Sequence, residues 1–161
     1  MSLRATAASN SGRAGWQPVS SFRSSTARAS FRLMQEDGNM EKPTLQNARI
    51  LILEDDYYLA TDLQAALEAA GAQVVGPFAD PADAAHALKS NAPNCALVDL
   101  NLGRGIDFEL PQELARQSIP FAFVTGYDRD AIPDTFAGTA RVEKPVAPQK
   151  VVEIVRLLLA V

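Results

Sequence analysis

Short apolar runs alternate with stretches of helical period along the last two-thirds of the chain. Arg49-Ile-Leu-Ile-Leu53 is a compact aliphatic run, which predicts a buried strand. Leu59, Leu63, Ala66, Leu67 and Ala70 then recur at helical spacing, and Gly71 supplies the left-handed residue that closes such a helix. Gln73–Val75 predicts a second strand. Asp80-Pro81 reads as an N-cap followed by proline at the first helical position, opening a helix to about Ser90 with Pro81, Ala84, Ala85 and Leu88 inward. Cys95–Val98 and Phe121–Val124 predict a third and a fourth strand, with a shorter helix over Leu110–Gln117 between them. Arg141-Val142 falls in a fifth strand, and Pro148–Leu159 forms the last helix. Strands alternating with helices call for a parallel sheet covered on both faces.

The beginning of the chain lacks this pattern. Residues 1–33 carry five arginines (Arg4, Arg13, Arg23, Arg28 and Arg32) and no acid, and are rich in Ser, Ala and Gly. Such a stretch cannot bury enough surface to offset its ordering entropy, so a disordered basic, Ser-rich extension is expected over 1–45 and a folded domain over 46–161. A targeting peptide, a basic interaction arm and a start codon placed too far upstream are the competing readings; Met34 and Met40, just ahead of the ordered pattern, favour the last. From residue 46 onward nine basic residues face sixteen acids, a balance of -7. An acidic domain in a chain of net charge -4 argues against nucleic-acid binding. One cysteine (Cys95) and one histidine (His86) exclude a disulfide framework and a zinc site built within one chain. No apolar run approaches the roughly 20 residues that span a bilayer. A cytoplasmic protein is expected, with no membrane contact.

In sheets of this kind, ligands bind beyond the carboxyl ends of the strands, where strand order reverses. Glu54-Asp55-Asp56 follow the first strand, Asp99 the third, Thr125 the fourth and Glu143-Lys144-Pro145 the fifth. Each alone has a plain reading: a solvated acidic loop, a turn residue, a strand end, an exposed lysine. Together they suit phosphoryl chemistry. Crowded carboxylates raise the cost of ionising one another, which a hard divalent cation such as magnesium relieves. A carboxylate can act as the nucleophile and form an acyl phosphate; Asp99 is the candidate because an apolar strand holds it. Glu54 and Asp55 would hold the metal with Asp99, Thr125 would donate to a phosphoryl oxygen, and Lys144 would offset its charge. Asp56 is left as the N-cap of the first helix.

Leu51-Ile-Leu-Glu-Asp55, Ala96-Leu-Val-Asp99, Phe123-Val-Thr125 and Glu143-Lys-Pro145 resemble the receiver domain of two-component response regulators, over residues 46–161. The resemblance implies a flavodoxin-like, doubly wound, five-stranded parallel sheet of strand order 2-1-3-4-5. It implies that Asp99 accepts a phosphoryl group from a histidine kinase or histidine phosphotransfer protein. It implies a magnesium site of Asp55, of Glu54 where many relatives have aspartate, and of the Asn101 backbone carbonyl, with a cis Lys144–Pro145 bond. Pro120-Phe-Ala-Phe-Val-Thr-Gly-Tyr127 further resembles the PFxFATGY subfamily, mostly stand-alone receivers of alphaproteobacteria, several linked to general stress signalling; Val124 replaces the alanine. The Asp-Leu-Asn-Leu-Gly103 turn is similar to that group too.

Departures from commoner receivers shape further expectations. Gly103 stands for the usual proline and Asp107 for the usual glycine. The stretch from Thr125 to Lys144 is short and contains Pro133 and Gly138, so the fourth helix of the family is expected to shrink to a turn or two. Arg141 replaces an aromatic that turns inward on activation in many relatives, which speaks against the familiar Tyr–Thr switch. Tyr127, two residues past Thr125, is expected instead to cover the site and tune hydrolysis of the acyl phosphate.

The expected function is that of a single-domain response regulator whose output passes through protein contacts, and no enzyme beyond its own phosphorylation and dephosphorylation. In the last helix Val151, Ile154, Val155 and Leu158 form one face, and Val152 and Leu159 are surplus to it. That surplus fits either a dimer or partner surface or a helix seated deeper in the core. His86 is expected in solvent, Cys95 in the core, and Arg104 at the surface. One rival is a phosphorylation-independent interaction module. A second is a haloacid-dehalogenase-type phosphatase, which wants an acid two residues after its nucleophile, where this chain has Asn101.

Overall fold

The computed structural model describes residues 45–160, and the expected N-terminal extension falls outside the described residues except for Leu45. In chain order the elements are β1 (Arg49–Leu53), α1 (Tyr57–Ala69), β2 (Gln73–Phe78), α2 (Pro81–Asn91), β3 (Cys95–Val98), α3 (Glu109–Arg116), β4 (Phe121–Thr125), β5 (Ala140–Glu143) and α4 (Pro148–Leu159). The strands are parallel and lie in the order β2-β1-β3-β4-β5, the flavodoxin-like arrangement expected.

Period-two alternation in the central strands divides the core into two halves. Ile50, Ile52, Cys95, Leu97, Ala122 and Val124 face α1 and α4, meeting Leu63, Leu67, Val151 and Val155. Leu51, Leu53, Ala96, Val98, Phe121 and Phe123 face α2 and α3, meeting Ala84, Leu88, Leu110 and Leu114. Helix starts follow their sequence signals. Asp56 caps α1 by accepting from the Tyr58 and Leu59 N–H groups at 2.9 and 3.0 Å, and Asp80 caps α2 through Ala82 N at 2.8 Å. Gly71, with φ of 92°, closes α1. Asp107, in the position where relatives keep glycine, accepts from Glu109 N at 2.8 Å and tethers the start of α3.

Between β4 and β5 the described chain forms two single 3-10 turns, Arg129–Ala131 and Asp134–Phe136, in agreement with a much reduced helix. Phe136 does the covering that a longer helix would do. Its ring stacks on Phe108 at 5.6 Å and meets Phe121 and Phe123 edge-on at 6.0 and 5.8 Å, sealing that half of the core.

Some boundaries move. Leu45, expected in the extension, is 2% exposed and donates its N–H to Ala70 O at 2.9 Å, so the ordered domain includes it. β2 runs on through Gly76 and Pro77 to Phe78, with its register against β1 shifting between Leu51 and Leu53. In α4, Val152, Ile154 and Leu159 are half-buried against the core, the deeper seating given above as one alternative; Leu157, 61% exposed, is the large apolar residue left in solvent. Ala87 joins Ala84 and Leu88 on the buried face of α2, while His86 is exposed as expected. No helix of the described residues is long and apolar enough to cross a membrane.

Cys95 is fully buried in β3, and burial pushes its thiol up from 9.0 to about 12. Its neutral form therefore favours the folded state below pH 9.0, and that contribution is lost as pH climbs toward about 12. At about pH 8 a thiol alkylating reagent should modify Cys95 only as fast as the chain unfolds, since the thiolate is the reactive form. Intact-mass kinetics with and without urea check this; rapid labelling of the native protein would contradict it.

Candidate functional site

Backbone hydrogen bonding continues one residue beyond three strands, and this fixes where the chemistry-bearing side chains sit. Glu54 N–H donates to Phe78 O at 2.8 Å, Asp99 N–H to Leu53 O at 2.8 Å, and Lys144 N–H to Thr125 O at 3.1 Å. Each residue thus leaves the sheet with its backbone still tied to a neighbouring strand. Their side chains converge at the carboxyl edge, across the β1/β3 junction where the strand order reverses.

Lys144 Nζ lies 2.7 Å from Asp99 Oδ2 and donates to Glu54 Oε1 at 2.9 Å. Glu54 and Asp99 are 2% and 3% exposed, unusual for carboxylates without a partner. Asp99 Oδ1 accepts from the Asn101 N–H at 3.0 Å, so each oxygen of this carboxylate has one donor and its plane is set. Glu54 Oε1 also accepts from Asp56 N–H at 3.1 Å. Glu54 Oε2 lies 2.8 Å from Lys144 Nζ but outside hydrogen-bond geometry, which leaves a buried carboxylate oxygen without a hydrogen-bond donor.

Burial raises the Glu54 carboxyl above its ordinary 4.5; the Lys144 ammonium and the Asp56 N–H oppose this, and the nearby Asp99 adds to it. For Lys144, burial works against the charged form, but the Asp99 and Glu54 carboxylates outweigh it and hold the ammonium above 10.5. One cation faces Glu54, Asp55, Asp56 and Asp99, so negative charge is left over.

Glu54, Asp55 and Asp99 each offer a carboxylate oxygen, and these oxygens lie within 4.8 Å of one another. A hard-oxygen set with one orphaned buried oxygen fits a divalent cation of the magnesium type. The acids open onto a cleft of about 520 Å³ whose walls include Asn101, Gly103, Gly126, Tyr127 and Lys144. Gly103 adopts φ of +70°, a left-handed turn that a side chain would strain, beside Asp55 on the cleft wall.

The residues singled out in the sequence are mostly brought together. Glu54, Asp55, Asp99, Asn101 and Lys144 form one cluster, Tyr127 lines the cleft, and the Lys144–Pro145 bond is cis. Thr125 is the exception. It is fully buried at the end of β4 and does not line the cleft; its Oγ1 accepts from the Tyr127 N–H at 3.2 Å. Arg141 stands apart from the acids, its guanidinium donating to Tyr127 O at 3.0 Å and to Glu143 at 2.6 Å. Arg104 is exposed, 3.8 Å from Asp80.

The sequence profile described as response regulator receiver domain matches residues 50–156. The chain belongs to that family. Receiver domains act in two-component signalling, bind magnesium at an acidic pocket and interact with histidine kinases or phosphotransfer proteins. The solution structure of SdrG from Sphingomonas melonis Fr1 is similar at 28% identity, over 71% of this chain and 98% of that one, with a TM-score of 0.62. A BeF3-activated conformation of SdrG from Pseudomonas melonis Fr1 is similar at 29% identity, over 74% and 99%, with a TM-score of 0.61. The response regulator PhyR from Brucella abortus is similar at 25% identity, over 83% of this chain but 56% of its own length, with a TM-score of 0.61. No curated protein matches the sequence.

Removing one partner of a buried ion pair strands the other, at a cost of roughly 3 kcal/mol or more. In the presence of a chelator, Lys144→Met should therefore unfold at clearly lower urea, and adding Glu54→Gln should recover part of the loss. Equal midpoints for Lys144→Met and wild type would show that the contact carries no energy.

Proposed function

We propose that this receiver domain is a phosphorylation-controlled signalling protein whose acceptor is Asp99. The supporting observation is the buried Asp99 carboxylate, held by Lys144 on one oxygen and by the Asn101 N–H on the other, at the floor of a cleft rimmed by further acids. A fixed carboxylate can attack the phosphorus of a phosphohistidine: an O–P bond forms, the P–N bond breaks, and the imidazole keeps the electron pair. Lys144 balances negative charge on the transferred group from the side of Asp99 Oδ2.

Glu54, Asp55, Asp99 and the Asn101 carbonyl would hold magnesium, which when bound supplies charge neutralisation for the acids and the phosphoryl group. Thr125 reaches a phosphoryl oxygen only after a local shift, because its side chain is fully buried and its hydroxyl oxygen is engaged by the Tyr127 N–H. Tyr127 covers the cleft and limits water attack on the acyl phosphate. The activated form solved for SdrG with BeF3, an anion of phosphoryl shape, supports the same use of the site here.

The donor is a phosphohistidine-bearing kinase or phosphotransfer protein. Asn101, exposed and not acidic, gives no acid/base partner to a phosphatase of small esters, so group transfer between proteins is the reading retained. Incubation with acetyl phosphate and magnesium should add one phosphoryl mass to the wild type and none to Asp99→Ala, read by intact mass spectrometry. A folded wild type that never gains this mass would overturn the assignment in favour of a phosphorylation-independent module.

A further inference from the structure

The segment from Gly126 to Thr139 forms the wall of the cleft and the cover of one core half, yet it has few ties to the sheet. Ala131, Ile132, Phe136, Ala137 and Thr139 donate only to carbonyls three residues back within the segment. Phe136 is its one buried side chain. At its cleft end, Tyr127 is gripped on both sides of its backbone. Its N–H donates to Thr125 Oγ1 at 3.2 Å, and its carbonyl accepts from Arg141 Nη1 at 3.0 Å.

Arg141 is well placed to give that grip a fixed position. It sits in the middle of β5, paired with Phe123 of β4, so its Cα is set by the sheet. Its side chain is 17% exposed and its second terminal nitrogen is occupied by Glu143. A guanidinium with both terminal nitrogens engaged loses less freedom per bond than a flexible amine, and a bond from a charged donor is about twice as strong as a neutral one. Arg141 also lines a separate groove beside β5.

We infer that Arg141 is a positioning residue: by holding the Tyr127 carbonyl it keeps Tyr127 seated at the cleft rim and so sets how readily water reaches a phosphoryl group on Asp99. The inference rests on the proposed phosphorylation of Asp99. The Tyr127 side chain lines the cleft while packing against the core half that contains Phe121 and Phe123. Shifting its peptide therefore lifts a wall of the site without touching any of the acids. Arg141 reaches the chemistry only through this peptide.

The decisive measurement is the lifetime of the phosphorylated protein. Asp99 is first loaded with acetyl phosphate, the label is confirmed absent from Asp99→Ala, and its decay is followed by intact mass. Arg141→Ala should shorten the lifetime by roughly tenfold, the effect of losing one charge-assisted hydrogen bond. Arg141→Lys, which keeps a donor, should restore part of it. Tyr127→Ala should shorten the lifetime similarly, and Arg141→Ala/Tyr127→Ala no further, because both changes remove the same wall. Wild-type lifetime in Arg141→Ala, or effects of the two substitutions that multiply, would overturn the inference while leaving Asp99 phosphorylation standing. If the wild type takes no label, the proposed function fails first, and amide hydrogen exchange still decides on the clamp. Protection of the Tyr127 N–H should be lost in Arg141→Ala and kept in Arg141→Lys; unchanged protection in Arg141→Ala would refute the clamp itself.

Discussion

A single ammonium between two buried carboxylates sets the terms for this domain. Glu54 leaves β1, Asp99 leaves β3 and Lys144 leaves β5, so one ammonium with two contacts pins three strand ends. Like charges at the spacing of these acids repel by on the order of 3 kcal/mol per pair at an effective dielectric near 20. Lys144 cancels part of that, and burial makes the remainder costly. The site therefore stays short of positive charge, a condition that favours binding of a divalent cation.

The sheet makes this arrangement rigid at little expense to the core. β1, β3 and β4 are buried on both faces, and the backbone ladder extends to the very residues that carry the acids and the lysine. Rigidity is unequal around the cleft, however. The acids rest on strands, whereas the wall containing Gly126 and Tyr127 belongs to a segment held by local turns, the packing of Tyr127, Ile132 and Phe136, and the bonds of the Tyr127 peptide to Thr125 and Arg141. Stability of this uneven kind is typical where a signalling surface must move while its chemistry stays fixed.

Most of the fold was legible because its strands are short, apolar and followed by polar residues. Ile50–Leu53 and Cys95–Val98 announce both the strands and the acids after them. β2 was read short because Gly76 and Pro77 interrupt its apolar run, although pairing resumes at Phe78. Leu45 escaped because Thr44, Gln46 and Asn47 hide a lone core residue among polar neighbours. The cluster of acids and Lys144 followed from the topology, as did Thr125 at the end of β4, while the engagement of its hydroxyl oxygen by the Tyr127 N–H did not. Hydroxyl direction depends on the loop that follows, and nothing in Thr-Gly-Tyr records it. The grip of Arg141 on Tyr127 was invisible for a related reason: its acceptor is a main-chain carbonyl, which every residue possesses, so no residue type marks it.

Lys144 comes 45 residues after Asp99 and 90 after Glu54 along the chain. During synthesis the two buried acids emerge from the ribosome well before their counter-charge, and the sheet edge that aligns them closes only when the last strand docks. A nascent or half-folded chain thus carries the acids without the ammonium that offsets their repulsion. The acidic cluster therefore takes its final, paired form only together with completion of the fold.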